Sequence, residues 1–123
     1  MPAQTPSELH RLFVEFANAG DLQGLLSLYD EQGCIMSQAG EAFRAEGLRE
    51  RLRHLLALKP VMRLETRSIV ENGDVALMTS DWTLKGTQPG GDPIEAGGMS
   101  CEIARRQPDG SWRYLIDNPF ASE

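Results

Sequence analysis

Residues 107–120, QPDGSWRYLIDNPF, constrain the fold of this chain more than any other stretch. Pro108-Asp109-Gly110 is typical of a turn, because proline fixes φ, aspartate binds its own backbone and glycine accepts positive φ. An alternating strand follows, and Asn118-Pro119 ends it, since proline cannot donate to a sheet ladder. The sequence therefore predicts the last strand of a sheet that earlier residues build. Regular alternation places Trp112, Tyr114 and Ile116 on one face and Arg113, Leu115 and Asp117 on the other.

Three helices are predicted before most of the strands. The first begins with a capping box, T-P-S-E, and carries an apolar stripe at helical spacing. The second begins at an aspartate cap and carries Tyr29 on its inner face. Arginines 44, 49, 51 and 53, in and before the third helix, are expected to form a solvated, ion-paired surface. The predicted limits of the helices are Thr5 and Gly20, Asp21 and Gly33, and Gly47 and Pro60.

The strands follow a period of two. Cys34–Met36 is predicted as a short first strand, and residues 37–46 as irregular. Asn72-Gly73 predicts a hairpin turn, and Gly97-Gly98 predicts a bulge or bend. The longer strands are predicted at 61–70, 75–85 and 94–106. Helices followed by antiparallel strands indicate an α+β fold, in which helices pack on a curled sheet and leave a pocket for an apolar ligand.

Composition limits the classes of function. The chain has 123 residues and a net charge of −6, which suits one domain, 1–123, and argues against nucleic-acid binding. No apolar run approaches the roughly 18 residues of a membrane span, and no signal peptide is visible. Cys34 and Cys101 lack metal-ligand spacing and are expected to be reduced, largely buried thiols. We therefore expect a cytoplasmic protein without membrane association, metal or cofactor.

The order of these motifs resembles the small SnoaL-like and ketosteroid-isomerase-like proteins of the nuclear-transport-factor-2-like superfamily. The segments that carry the resemblance are Asn18–Leu22, Leu25–Tyr29, Gly47, Ser80–Leu84 and the final D-G-x-W-R strand running into I-D-N-P-F. The resemblance implies a cone-shaped fold, with three N-terminal helices on the concave face of a strongly curved, mainly antiparallel sheet. It also implies a pocket inside the cone and, often, a homodimer formed through the sheet.

The resemblance does not extend to the catalytic set of the ketosteroid isomerases. Their aspartate base corresponds to Ser37, or to Gln38 if the register slips, and neither accepts a proton as a carboxylate does. Their tyrosine on the first helix corresponds to Phe13, which has no hydroxyl. Their second donor, a protonated aspartate, is matched most nearly by Glu102. Because loss of a general base alone costs on the order of 10²–10⁴ in rate, ketosteroid isomerase activity is not expected.

Three carboxyl groups are candidates for catalysis. Glu102 lies in an apolar strand and would act as an acid or a hydrogen-bond donor if it points into the cone. Its alternative is a solvent-exposed position or an ion pair with arginines across the sheet. Asp81, beside Trp82, and Asp117, at the end of the last strand, could also be the polar group of the pocket. Asp117 could instead bind the amides of its own turn.

The candidate ligand-binding residues are aromatic or flexible and apolar. They are Trp82, Phe13, Phe16, Met36, Met62, Met99 and Trp112. Core packing is the alternative for the tryptophans and methionines. The two histidines, His10 and His54, are expected at helix surfaces, and their spacing does not suit zinc.

Three functions remain open at this stage. The first is a cone protein that binds a small apolar or aromatic molecule without converting it. The second is an isomerase, cyclase or hydratase acting on a cyclic or polyketide-like substrate. The third is a non-catalytic structural or regulatory homodimer whose side chains fill the cone.

Overall fold

The computed structural model describes residues 2–121, which form three helices and six strands. In chain order these are α1 (Pro6–Ala19), α2 (Leu22–Ser27), β1 (Tyr29–Met36), β2 (Ala42–Arg44), α3 (Glu46–Ala57), β3 (Val61–Asn72), β4 (Val75–Thr87), β5 (Pro93–Arg106) and β6 (Trp112–Asn118). The strands form one sheet in the order β2-β1-β6-β5-β4-β3, and only the β1–β6 pair is parallel. The predicted α+β class with a mainly antiparallel sheet is confirmed.

Helix α1 is fixed at both ends by side chains. Thr5 makes no capping bond through its side chain, and Glu8 Oε1 instead accepts from the Gln4 backbone N–H at 2.8 Å. At the C-terminal end, Asn18 Oδ1 accepts from the Met62 N–H at 2.7 Å and its Nδ2 donates to the Met62 carbonyl at 3.2 Å. The Asn18 side-chain amide thus bonds both backbone groups of Met62, as a residue of a neighbouring strand would. These two bonds connect the end of α1 to the start of edge strand β3.

The second helix is shorter than predicted and the first strand is longer. Helix α2 ends at Ser27, so Tyr29 begins β1 instead of lying on the helix. Gly33 does not end a helix but lies inside β1, where a Cβ would come within 2.8 Å of the Tyr114 carbonyl oxygen. The prediction was wrong because a short apolar run fits the buried positions of a helix and of a strand equally well. Residues 37–46, predicted as irregular, contain β2.

Strand β5 runs without interruption through the two glycines at which a bulge was predicted. Gly97 and Gly98 pair in register with Thr83 and Trp82 of β4. A Cβ on Gly97 would come within 2.9 Å of the Trp82 carbonyl oxygen, so glycine here permits close strand approach instead of a bend. The register shifts lie elsewhere, between Thr66 and Ser68, between Ile103 and Ala104, and in the pairing of β1 with β6.

The register shift between β5 and β6 changes the faces predicted for the last strand. Ile103 pairs with Ile116, whereas Ala104 pairs with Tyr114, so Leu115 is the extra residue. An extra residue in one strand reverses the alternation beyond it. Asp117 is consequently buried on the same side as Tyr114, and Ile116 is only half-buried. The prediction that Ile116, not Asp117, shares the face of Tyr114 was wrong for this reason.

Asp30, near the start of β1, links this strand to the end of β5. Arg105 donates from Nε and Nη2 to its carboxylate oxygens at 3.0 and 2.8 Å, and Gln107 Nε2 donates at 2.8 Å. The hydrogen bonds from Arg105 hold the pKa of Asp30 at about 2, below its ordinary 3.8. Because β6 lies between β1 and β5, these bonds connect the two strands that flank β6.

The hydrophobic core lies between the helices and one face of the sheet. Inward positions alternate along the strands, as in β4, where Ala76, Met78 and Ser80 are buried and Val75 and Leu77 are exposed. Both thiols are free; Cys34 is buried and Cys101 half-buried. No helix among residues 2–121 is both long and apolar enough to cross a membrane.

Candidate active site

A cavity of about 390 Å³ opens between α1, α3 and the inner face of the sheet. Most of its lining side chains are apolar, and the polar ones come mainly from the sheet. The lining residues are Phe13, Ile35, Met36, Arg51, Leu52, His54, Leu55, Leu58, Met62, Leu64, Trp82, Leu84, Ser100, Glu102, Tyr114, Asp117, Pro119 and Phe120. An apolar cavity with a few convergent polar groups is the usual form of a small-molecule site.

Two carboxyl groups lie side by side in this cavity. Glu102 of β5 pairs in register with Asp117 of β6, and their exposed fractions are 3% and 6%. Side chains of directly paired residues on one face have Cβ atoms about 5 Å apart. Two carboxylates this close in a low-dielectric site repel each other, so the Glu102 charge disfavours ionisation of Asp117.

The environment of Asp117 favours its neutral form. Burial away from water raises its pKa most, and the nearby Glu102 charge raises it further, to about 7. The Tyr29 hydroxyl donates to Asp117 Oδ2 at 2.5 Å, which opposes the rise. The pKa of the Tyr29 phenol is raised well above 10 by its own burial and then by the Asp117 charge. Asp117 can therefore change its protonation state near neutral pH.

Glu102 is held from the opposite side by a buried histidine. His10 Nε2 lies 2.7 Å from Glu102 Oε1, and His10 Nδ1 lies 2.7 Å from Thr66 Oγ1. The nitrogen that faces a carboxylate oxygen, Nε2, is the donor to Glu102, and Nδ1 is hydrogen-bonded to the Thr66 hydroxyl, so both ring nitrogens have a partner. The two carboxyls thus have different donors. Glu102 accepts from the imidazole of His10, and Asp117 accepts from the phenol of Tyr29.

Further hydroxyl groups surround the pair. Ser100 lines the cavity two residues before Glu102, and its hydroxyl is hydrogen-bonded to that of buried Ser80 on β4. Tyr114 also lines the cavity, and its ring meets Phe13 edge-on with 6.5 Å between centroids. A phenol therefore enters the cavity from the sheet, whereas α1 contributes only the ring of Phe13.

The residues after β6 close one side of the cavity. Trp82 Nε1 donates to the Pro119 carbonyl oxygen at 2.8 Å, and its indole meets Phe120 edge-on at 6.5 Å. Asn118 Oδ1 accepts from the Phe120 N–H at 3.0 Å. The side chain that binds its own turn is thus Asn118, and Asp117 remains free to face the cavity.

The structure brings together six of the ten residues that the sequence singled out. Those that line the cavity are Glu102, Asp117, Trp82, Phe13, Met36 and Met62. Glu102 neither faces solvent nor pairs with an arginine, which excludes the alternatives considered from the sequence.

The remaining four residues lie outside the cavity lining. Asp81 is exposed and forms an ion pair with Arg67 at 3.5 Å. Met99 pairs with Asp81 in register and its sulfur accepts from Arg67 at 3.2 Å. Trp112 is buried beneath the Arg106 guanidinium, and Phe16 packs against the rim of the core.

Sequence reasoning missed the histidine of the site. His10 was expected at the surface, yet its exposed fraction is 3%; His54 is exposed as expected. The missed signal was helical spacing, because His10, Phe13 and Ala17 follow one another at i, i+3 and i+7 on the buried stripe. Tyr29 was missed because it was assigned to a helix. Within the part of the chain that the structure describes, no cluster of His, Cys, Asp and Glu could hold a metal ion.

Comparisons with known proteins agree with this architecture. A family model described as SnoaL-like domain matches residues 10–115. No curated protein matches the sequence. A conserved protein from Planctomyces limnophilus DSM 3776 superimposes with a TM-score of 0.84 at 19% identity, covering 93% of this chain and 91% of the other.

Two further solved structures share the fold. A ketosteroid isomerase-like protein from Erwinia carotovora atroseptica SCRI1043 has a TM-score of 0.80 at 18% identity, with 91% and 89% of the two chains covered. A nuclear transport factor 2-like superfamily protein from Salmonella enterica serovar Typhimurium LT2 has a TM-score of 0.79 at 15% identity, with 90% and 84% covered. At these identities the likeness establishes the fold and nothing about activity.

Proposed function

The chain belongs to the SnoaL-like domain family, and we propose that its cavity binds a compact apolar or aromatic molecule whose polar group faces Glu102 and Asp117. The observation that carries this proposal is a mostly apolar cavity of about 390 Å³ with two buried carboxyls in adjacent strands. Trp82, half-buried at the wall, offers a face for stacking on a ring. A structural dimer with a filled cone would leave no such cavity, so this alternative is not favoured.

A second function is favoured by the ionisation of Asp117. A group with a pKa of about 7 is matched to proton transfer at neutral pH. Glu102, which accepts a hydrogen bond from His10, would take a proton while Asp117 supplies one. Such a pair suits an isomerisation, cyclisation or hydration of a cyclic or polyketide-like substrate. The loss of the isomerase base at Ser37 does not exclude it, because these carboxyls occupy other strands.

Binding inside the cavity can be tested with the two tryptophans of the chain. Steroids, aromatic polyketides and small cyclic ketones would first be screened by thermal shift. A ligand at ten times its Kd is expected to raise Tm by about 5 °C, from about 1.4 kcal/mol of linkage. The positive compounds would then be titrated into Trp112→Phe, whose only tryptophan is Trp82, and the emission should change.

The matched control is Trp82→Phe, which leaves Trp112 as the reporter outside the cavity. Its emission is expected to stay constant on titration with the same compounds. Equal responses from both variants would place the binding elsewhere on the surface. Absence of any thermal shift across the three classes would count against an open ligand site.

We also propose that the outer face of the sheet forms a homodimer contact. Val70, Leu77, Ile103 and Ile116 pair in register as one apolar row across β3, β4, β5 and β6. Val70 and Leu77 keep 60% and 47% of their surface exposed. A second copy would bury this row against its own equivalent, as a two-fold contact requires.

Sedimentation velocity tests the dimer. The wild type is expected to sediment as a dimer at micromolar concentration, and Leu77→Glu as a monomer, because a charge would be buried at the contact. Thr83→Glu is the control, since Thr83 is exposed on the same strand outside the apolar row. A monomeric wild type, or equal dissociation of both variants, would contradict the proposal.

A further inference from the structure

One cation of the cavity has no carboxylate partner among the residues that the structure describes. Arg51, on α3, is half-buried and lines the cavity. Its neighbours on the helix are paired, Arg49 with Glu46 at 4.0 Å and Arg53 with Glu50 at 3.2 Å. Among the ion pairs of residues 2–121, none includes Arg51. The ion-paired surface expected for arginines 44, 49, 51 and 53 therefore includes Arg49 and Arg53, whereas Arg44 is exposed without an ion pair among the described residues and Arg51 lines the cavity.

The Arg51 guanidinium is held in place by an aromatic ring. It lies 5.0 Å from the centroid of Phe43, a residue of β2 that pairs with Ile35 of β1. Phe43 is in turn packed closely against the first turn of α3, since a Cβ on Gly47 would come within 3.3 Å of its ring. A stacked arginine keeps its donors available in the plane of the guanidinium. The side chain is thus positioned beforehand for a planar anion.

The remaining polar groups of the cavity are separate from this cation. Glu102 and Asp117 are engaged with His10 and Tyr29, and neither lies within ion-pair distance of Arg51. His54, one turn further along α3, is the other basic side chain of the lining. One cavity therefore presents a basic region on the helix and a carboxyl region on the sheet, with apolar walls between them.

We infer that the ligand is an amphipathic carboxylic acid, with its carboxylate on Arg51 and a hydroxyl or carbonyl group at the other end facing Glu102 and Asp117. The inference rests on the proposed function, since it names the ligand class of the same cavity. A neutral sterol or hydrocarbon would leave the guanidinium without a partner as it displaced water from it, which is costly. A carboxylate accepts two parallel N–H bonds from the guanidinium fork. Because the net charge of −6 repels an anionic ligand, binding of a carboxylate in the cavity requires a local cation such as Arg51.

A matched pair of compounds tests the inference by isothermal titration calorimetry at pH 7.5. The probes are 6-hydroxy-2-naphthoate and its methyl ester, which share the ring and the hydroxyl and differ in the charge. The wild type is expected to bind the acid roughly five- to tenfold more tightly than the ester. The corresponding free energy lies between that of an exposed ion pair and that of a buried hydrogen bond to a charged group. Arg51→Gln should reduce this ratio to about one, and its affinity for the ester should be no weaker than that of the wild type, which is evidence of a folded cavity.

Arg53→Gln is the control, because Arg53 is exposed and paired with Glu50 on the same helix. Its acid-to-ester ratio is expected to equal that of the wild type. Equal affinities of the wild type for acid and ester would overturn the inference and leave the proposed binding function intact. An equally large fall of the ratio in Arg53→Gln would also overturn the inference. The preference for the acid would then come from the summed positive charge of α3 and not from contact with Arg51. Failure of both probes to bind at millimolar concentration would count against the inference and the proposed function together.

Discussion

The variant His10→Ala is expected to lower the free energy of unfolding by about 3 kcal/mol, because it removes two hydrogen bonds and leaves the buried Glu102 carboxyl without its partner. His10 is the only group shown to bind the Glu102 carboxyl among the described residues, at 2.7 Å. Thr66 loses its contact with the ring at the same time. Urea-induced unfolding at pH 7, followed by circular dichroism, measures the difference.

The second histidine provides the control. His54 is exposed near the end of α3, and His54→Ala is expected to change stability by less than about 0.5 kcal/mol. A double-mutant cycle of His10→Ala with Glu102→Ala should give a coupling energy of at least about 1 kcal/mol, because the residues are in direct contact. A coupling energy near zero would mean that the histidine and the carboxyl do not depend on each other.

The fold was predictable where the sequence carries local signals. The predicted hairpin joins β3 and β4 through Gly73 and Asp74, with Gly73 at φ 62°, one residue beyond the predicted Asn72-Gly73 turn because Asn72 is still in β3. The end of α1 at Gly20 likewise matches a residue that adopts the left-handed conformation, at φ 70°. Each of these features depends on one or two residues with special backbone preferences, so a single sequence suffices to find them.

The face of a side chain was predictable only where the strands pair regularly. Glu102 was the leading carboxyl candidate, but alternation alone could not decide which side of β5 it occupies. The answer depends on pairing with β4 and β6, which is a property of the whole sheet. For Asp117 the single extra residue at Leu115 reversed the predicted face. A register shift leaves no mark in the residues of its own strand here, so the sequence could not reveal it.

The composition of the site also explains why similarity to isomerases says little about activity. Phe13, which the sequence resemblance predicts at the place of the isomerase tyrosine, has no hydroxyl, and the phenol of the cavity comes from Tyr114 on β6. The carboxyls lie together on β5 and β6. Ser37, which the sequence resemblance predicts at the place of the isomerase base, accepts from the Glu41 N–H through its hydroxyl. The carboxyls and the phenol of this cavity therefore come from β5 and β6, and its chemistry must be argued from those groups.

If the protein transfers a proton, Asp117→Asn is expected to reduce turnover on the order of 10²–10⁴, because an amide cannot donate or accept the proton of a carboxyl. The wild-type rate should change around pH 7, the pKa to which burial and the Glu102 charge raise Asp117. With Asp117 as the proton donor, the rate falls as pH rises through 7; a rise would assign it the role of base. The inflection should be absent in Asp117→Asn.

Stability measured on the same variant separates this role from a structural one. The pKa of Asp117 is higher in the folded chain than its ordinary 3.8, so its contribution to stability is fully present below pH 4 and is lost as pH rises through 7. The amide that replaces the carboxyl keeps an oxygen to accept from Tyr29 but cannot ionise, so the cost of Asp117→Asn should be smaller at pH 8 than at pH 5. If Asp117→Asn lowers the free energy of unfolding equally at both pH values and leaves turnover unchanged, Asp117 only packs against Tyr29. The proton transferred in the reaction would then have to come from Tyr114 or from solvent.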